Sequence, residues 1–149
     1  MTKTWLALGI AAAIAGCSDD KADAELRCET PTAVAPAINE PFNVQVGDSV
    51  VVDGGLRLQF VAVDSESRCP TGVECVSAGS VVVSLRAQAY DRDEKSFTLE
   101  TGADSTETVA FDNGFYQVEL KGVEPYPVAG REIAADGYCA SFSVAKALE

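Results

Sequence analysis

The amino-acid sequence predicts an all-β domain, an antiparallel β-sandwich or barrel of about eight strands that is held together by disulfides. Two observations lead to this prediction. From Phe42 onward, apolar and polar residues alternate with the period that is typical of half-buried strands, and turn residues separate these stretches. In addition, four cysteines follow the amino-terminal segment, an even number that is typical of small exported domains closed by disulfides.

The alternation locates each strand in order. The predicted strands centre on residues 42–46, 50–52, 56–60, 81–89, 97–99, 109–111, 116–120 and 138–144. Asn113-Gly114 is the strongest hairpin signal in the chain, because a type I′ turn requires positive φ at both central residues. No segment has helical periodicity, although residues 144–149 are compatible with a frayed turn.

The first sixteen residues are typical of a signal peptide. Lys3 supplies the positive charge, and residues 5–15 form an uninterrupted run of apolar or small residues. As a helix this run would extend about 17 Å, roughly half of the hydrocarbon thickness of a bilayer. It is therefore too short for a transmembrane helix.

The end of this segment, Ile14-Ala15-Gly16-Cys17, resembles the lipobox of bacterial lipoproteins. The resemblance implies cleavage before Cys17, attachment of diacylglycerol to its thiol, and acylation of the new amino group by a fatty acid such as palmitate. The alternative is an ordinary signal peptide, which usually ends in an Ala-x-Ala site. In enterobacterial lipoproteins an Asp after the cysteine retains the product in the inner membrane. Ser18 at this position favours the periplasmic face of the outer membrane over the inner membrane.

The charge and composition exclude several functional classes. The chain of 149 residues has no histidine, which excludes a Ser-His-Asp triad and histidine-ligated zinc or haem. Its net charge of −12 opposes binding to nucleic acid, and no residue pattern indicates a cofactor. Cleavage before Cys17 would remove one cation, Lys3, and leave 133 residues with a net charge of −13. Such acidity disfavours adsorption to anionic lipid, so acyl chains must provide the membrane attachment.

Three segments follow from these patterns. Residues 1–16 are the lipoprotein signal peptide, residues 17–41 are the lipidated cysteine and a proline-rich tether, and residues 42–149 are the β-sandwich domain. Pro31, Pro36 and Pro41 favour an extended chain in the tether. Between Cys17 and Cys28 the chain reaches at most about 40 Å, so the domain is expected to lie close to the membrane.

The four remaining cysteines predict two disulfides, for which three pairings are open. Cys69 and Cys75 are close in sequence and separated by residues that turn easily, which favours a local bridge. Cys28 and Cys139 would then join the start of the domain to its last strand. The alternative is a zinc site, which the absence of Cys-x-x-Cys pairs disfavours. We therefore expect no metal.

Residues 64–83 resemble a segment of a family of uncharacterised bacterial lipoproteins and secreted proteins. The shared pattern is Ser-Arg-Cys-Pro at residues 67–70, followed after four residues by Cys75-Val76 and then Ala78-Gly79; residues 125–131 are also similar. Ser77 stands where the family pattern has Trp, and Glu66 where it has Asp. The resemblance implies an exported β domain. It implies no biochemical activity, because the family is uncharacterised.

The segment around Cys69 and Cys75 is open to two interpretations. A loop closed by a short disulfide loses little entropy on binding, so Arg68, Pro70 and Glu74 are candidate residues of a recognition loop for an envelope protein or polymer. Alternatively, the bridge is a structural staple and Arg68 pairs with a neighbouring carboxylate. We favour the staple because small exported domains commonly use disulfides for stability.

Other chemistry is weakly indicated. The acidic clusters, such as Asp91-Arg92-Asp93-Glu94, lack the glycine and the later glutamate of a calcium-binding loop. No carboxylate pair stands out as an acid and base, so we expect no catalytic residues. Tyr116, Tyr126 and Tyr138 are expected in the core rather than on an aromatic platform. The sequence favours a non-enzymatic envelope lipoprotein; the alternatives are a protease-inhibitor-like module that uses the Cys69–Cys75 loop and, with less support, a carboxylate-dependent hydrolase.

Overall fold

The computed structural model describes residues 28, 30–31, 35–52, 55–90, 93–102 and 104–147. Within these residues the chain forms eight β-strands and no helix, which confirms the all-β prediction. The predicted signal peptide, Cys17 and most of the predicted tether lie outside the described residues. None of the described residues belongs to a helix of the length and apolarity needed to cross a bilayer.

The strands follow the alternation of the sequence. They are β1 (Phe42–Gln45), β2 (Ser49–Val52), β3 (Leu56–Glu66), β4 (Val81–Ala89), β5 (Lys95–Glu100), β6 (Thr106–Phe111), β7 (Gly114–Glu124) and β8 (Cys139–Ala147). The prediction of a frayed turn after residue 144 is wrong for the described part, because β8 continues to Ala147 in register with Phe115 of β7. Pairing with β7 satisfies the backbone groups of this end of the chain.

The eight strands divide into two antiparallel sheets of four, so the molecule is a sandwich and not a barrel. The first sheet has the order β1-β8-β7-β6 and the second the order β2-β3-β4-β5. The inward-facing apolar residues of both sheets form one buried core, in which Phe60 meets Phe142 edge to face with ring centroids 6.0 Å apart. Tyr116 and Tyr138 are buried there as predicted, whereas Tyr126 is exposed.

Strand β3 continues to Glu66, beyond the predicted end at residue 60. The sequence pattern does not show this part of the strand, because two β-bulges interrupt the alternation of buried and exposed residues. The pairing with β4 shifts between Phe60 and Ala62 and again between Val63 and Ser65. The bulges bring Val63 against the core and leave Asp64 on the outer face, where its carboxylate accepts a hydrogen bond from the Ser84 hydroxyl. A strand with strict alternation after Phe60 would have pointed Asp64 inward.

The described part of the predicted tether packs on the sandwich. The Thr30 hydroxyl donates to Asp48 at 3.0 Å and accepts from the backbone N–H of Gln45 at 3.0 Å. Further along, Ile38 packs against the core, and the N–H of Asn39 donates to the carbonyl of Val144 at 2.8 Å. The chain is thus held against the domain at several points before β1 begins.

Both predicted disulfides are confirmed. Cys28 pairs with Cys139, the first residue of β8, with the Cα atoms 5.4 Å apart. Cys69 pairs with Cys75 across a sequence separation of 6 residues, with the Cα atoms 5.9 Å apart. The zinc alternative is therefore wrong for these four thiols, because each sulfur bonds to another sulfur.

Candidate functional site at the loop end

Two loops lie side by side at one end of the sandwich. The first, residues 69–79, lies within the connection from β3 to β4 and contains the Cys69–Cys75 disulfide; the second, residues 125–131, follows β7. A parallel bridge joins Thr71 to Val128: the N–H of Thr71 donates to the Pro127 carbonyl at 2.9 Å, and the N–H of Ala129 donates to the Thr71 carbonyl at 3.0 Å. We call these two loops together the loop end.

Arg68 fastens the loop end to both sheets. Its Nε donates to Glu66 Oε1 at 2.9 Å and to Oε2 at 3.1 Å, and its Nη2 donates to Oε2 at 2.5 Å. Its Nη1 donates to the Val123 carbonyl at 2.6 Å, and Nη2 also donates to the Pro125 carbonyl at 3.1 Å. The guanidinium carbon lies 4.8 Å from the ring centroid of Tyr126. Arg68 therefore uses its donors inside the protein.

The backbone at the base of the first loop leaves no room for a side chain at Gly79. Its φ is +67°, and a Cβ at this position would overlap the carbonyl oxygen of Ser67 and lie 2.5 Å from the carbonyl carbon. The close approach allows the N–H of Cys69 to bond the Ala78 carbonyl at 2.8 Å. Only glycine combines this φ with this contact. The Ala-Gly step of the sequence motif thus has a local structural cause.

Burial and charge act together on two titratable groups near the loop end. Burial disfavours the charged form of Arg68, but the hydrogen bonds and the charge of Glu66 outweigh it, so the pKa of Arg68 is raised. Burial also raises the pKa of the Tyr138 phenol, with a further contribution from the negative charge of Glu66 and an opposing one from Arg68. Arg68 therefore stays charged and the Tyr138 phenol stays neutral across the physiological range.

The three residues proposed for recognition occupy different environments. The whole residue Arg68 is only 9% exposed, Pro70 is half-buried, and Glu74 is exposed. The structure thus places Arg68 beneath the loop, paired with a neighbouring carboxylate as the staple interpretation expects, and leaves Glu74 available to solvent. A role for Pro70 and Glu74 in recognition stays a prediction.

Of the exposed apolar side chains of the loop end, sequence reasoning singled out Tyr126 alone, and it expected this residue in the core. Val73 and Val76 on the first loop and Tyr126 and Val128 on the second loop are all exposed. Valine is typical of strand interiors, so the three valines carry no signal of exposure in their residue type. The available signal was the disulfide, because a ring closed by Cys69 and Cys75 is too short to bury its own side chains.

An open depression of about 390 Å³ lies beside these loops. Its lining includes Arg68, Gly79, Gly102, Glu124 and Tyr126. Glu124 supplies the carboxylate of this lining, and Arg68 supplies a cation that is already paired. In the part of the chain that the structure describes, no group of three or more Cys, Asp or Glu side chains is arranged to hold a metal ion.

Comparison with known proteins found no relative of this chain. No protein-family model, no curated protein and no solved structure matches the chain.

Proposed function

We propose that this protein is a bacterial envelope lipoprotein, anchored by acyl chains on Cys17 at the periplasmic face of the outer membrane, whose sandwich is a non-enzymatic binding or structural module. The observation that carries the proposal is the Cys28–Cys139 disulfide. It ties the segment that follows the lipobox directly to the last strand of the domain. Disulfides of this kind form outside the reducing cytosol, which supports export of the chain.

A non-enzymatic role is supported by the chemistry of the loop end. Hydrolysis by carboxylates requires an acid and a second carboxylate at a defined separation. The depression beside the loops is lined by one carboxylate, Glu124. The hydrolase alternative therefore has little support. Its test is the turnover of an envelope polysaccharide, which a single Asp or Glu substitution should abolish if the protein is a hydrolase.

Membrane fractionation tests the anchor. The full-length chain is expressed in a bacterium that processes lipoproteins, and the outer and inner membranes are separated. We expect the protein in the outer membrane, and a Cys17→Ser variant, which cannot be acylated at this position, to be absent from it. A Ser18→Asp variant is the sorting control and should move toward the inner membrane. Release of the natural chain into the soluble fraction would contradict the proposal.

A second candidate function rests on the first loop. Val73, Glu74 and Val76 are exposed on a ring closed by the Cys69–Cys75 disulfide, the kind of rigid surface that protease inhibitors present. If this candidate is correct, the protein inhibits a protease stoichiometrically. The Val73→Asp variant should lose the inhibition. The Val51→Asp control, at a side chain exposed on β2, should retain it. Cleavage of the loop without inhibition would exclude it.

A further inference from the structure

Exposed apolar side chains are concentrated at the loop end. Among the described residues, seven large hydrophobic side chains are exposed, and four of them, Val73, Val76, Tyr126 and Val128, lie on the two loops. Val76 has 109% of its reference exposure, so this residue is fully open to solvent. The disulfide and the bridge between Thr71 and Val128 hold the two loops in a fixed arrangement.

The tether enters the domain at this same end. Cys139, which bonds Cys28, lies opposite Glu124 in the pairing of β8 with β7. Glu124 is the last residue of β7, and the second loop begins at the next residue. Tyr138, next to Cys139, is close enough to the Glu66–Arg68 ion pair for both charges to act on its phenol. The attachment point of the tether is therefore adjacent to the loop end.

The tether is too short to hold this end far from a bilayer. The chain from Cys17 to Cys28 extends at most about 40 Å, and less if it is not fully extended. An anchored domain therefore keeps its exposed valines at a high local concentration relative to the lipid surface, so a weak intrinsic affinity is enough for contact.

The side chains themselves suit the interface of a membrane. Valine side chains can leave water for the acyl boundary, and tyrosine is enriched at the level of the headgroups. The exposed carboxylate of Glu74, between Val73 and Val76, favours zwitterionic over anionic headgroups. A protein partner would bury the same side chains, but the position of the tether favours the lipid.

We propose that the loop end rests on the zwitterionic lipid surface to which Cys17 anchors the chain, with Val73 and Val76 inserted at the level of the headgroups. This inference rests on the proposed lipid anchor. It orients the sandwich with its strands rising from the membrane, so that the end near Phe115 points away from it. Phe115 and Glu124 are nine residues apart along β7, or about 30 Å at the rise of a strand.

Tryptophan fluorescence tests the orientation. The chain has one tryptophan, and it is Trp5 in the signal peptide, so a processed chain has none. The Val76→Trp variant therefore carries a single fluorophore at the loop end, and the Phe115→Trp variant carries one at the opposite end. Both are purified as lipidated protein and reconstituted in vesicles of phosphatidylethanolamine and phosphatidylcholine, with or without brominated acyl chains.

The expected result is a blue-shifted emission and several-fold stronger quenching by brominated lipid for Val76→Trp than for Phe115→Trp. Adding Val73→Asp to Val76→Trp should reduce the quenching, and replacing part of the lipid with phosphatidylglycerol should do the same. Equally weak quenching of the two variants by brominated lipid would overturn the inference. It would also be overturned if acrylamide still quenched the Val76→Trp fluorophore on vesicles and only an added protein partner shielded it.

The anchor and the orientation fail in distinguishable ways. Flotation of the vesicles and the mass of the protein report the acylation of Cys17 independently of the fluorescence. A protein that floats with the vesicles and carries the lipid, but shows no difference between the two fluorophores, retains the proposed function and overturns the orientation. A protein without lipid that stays in solution overturns both.

Discussion

The guanidinium of Arg68 donates to the backbone carbonyl of Val123 across a distance of 2.6 Å and a separation of 55 residues in the chain. Arg68 follows β3 in one sheet, whereas Val123 belongs to β7 in the other. The bidentate pair with Glu66 sets the orientation of the guanidinium, so a single side chain connects the two sheets where the loops leave them.

We predict that Arg68→Ala lowers the free energy of unfolding by about 3–5 kcal/mol, because it removes the ion-pair partner of the Glu66 carboxylate and the side-chain donor to the buried Val123 carbonyl. Arg68→Lys should recover only part of this loss, since an ammonium group cannot form the bidentate pair. Urea unfolding measures both changes.

The matched control for this substitution is Arg86→Ala. The Arg86 and Glu94 side chains are about half exposed, and their closest charged atoms lie 3.6 Å apart. Removal of an exposed pair should change stability by at most about 1 kcal/mol. Equal effects of Arg68→Ala and Arg86→Ala would contradict the structural role of Arg68.

The two disulfides are expected to contribute unequally to stability. They close loops with sequence separations of 111 and 6 residues. From the entropy of loop closure, the pair Cys28→Ser/Cys139→Ser should cost about 4.8 kcal/mol and the pair Cys69→Ser/Cys75→Ser about 2.4 kcal/mol. Chemical denaturation of the two double variants measures the difference, and a larger loss from the short loop would contradict this ranking.

Gly79→Ala should destabilise the domain by more than the strain of placing an alanine at positive φ. The added Cβ would overlap the Ser67 carbonyl, next to Arg68, in addition to adopting a positive φ. Gly102→Ala is the control, because Gly102 has a φ of +107° and an added Cβ would meet no atom within 4 Å. The control should lose about 1–3 kcal/mol in thermal or urea unfolding. If both variants lose the same amount, the close contact at Gly79 has no energetic role.

Alkaline pH should destabilise the protein through Tyr138. The folded state raises the pKa of this phenol above its ordinary value of 10.0, so the unfolded chain releases the proton at lower pH than the folded chain. The stabilisation is complete below the ordinary value and is lost as the pH rises from there through the raised value. Unfolding measured across this range should show a smaller decline for Tyr138→Phe than for the natural chain. Identical slopes would contradict the shift.

Much of the fold follows from local patterns in the sequence. The alternation of residues such as Leu56, Leu58 and Phe60 located the strands, and the even number of cysteines gave both pairings once Cys69 was matched to its near neighbour. These signals are visible because strand periodicity and short loops are local properties. The division into two sheets is not local, which is why sandwich and barrel stayed open.

The bulges and the loop end could not be predicted in the same way. The bulges in β3 reverse the alternation twice between Phe60 and Glu66, and a bulge depends on the partner strand as much as on its own residues. The contact of Thr71 with Val128 joins loops that are far apart in the chain. The exposure of Val76 could not be read from its residue type, because valine is typical of strand interiors.

The mass of the intact mature protein, measured without reduction, reports both the lipid on Cys17 and the pairing of the other four cysteines. We expect a chain that begins at Cys17 and carries the mass of attached acyl chains, with no free thiol. A chain that begins at an unmodified Met1, or that carries free thiols at Cys28 and Cys139, would contradict both the lipid anchor and the export that accounts for the disulfides.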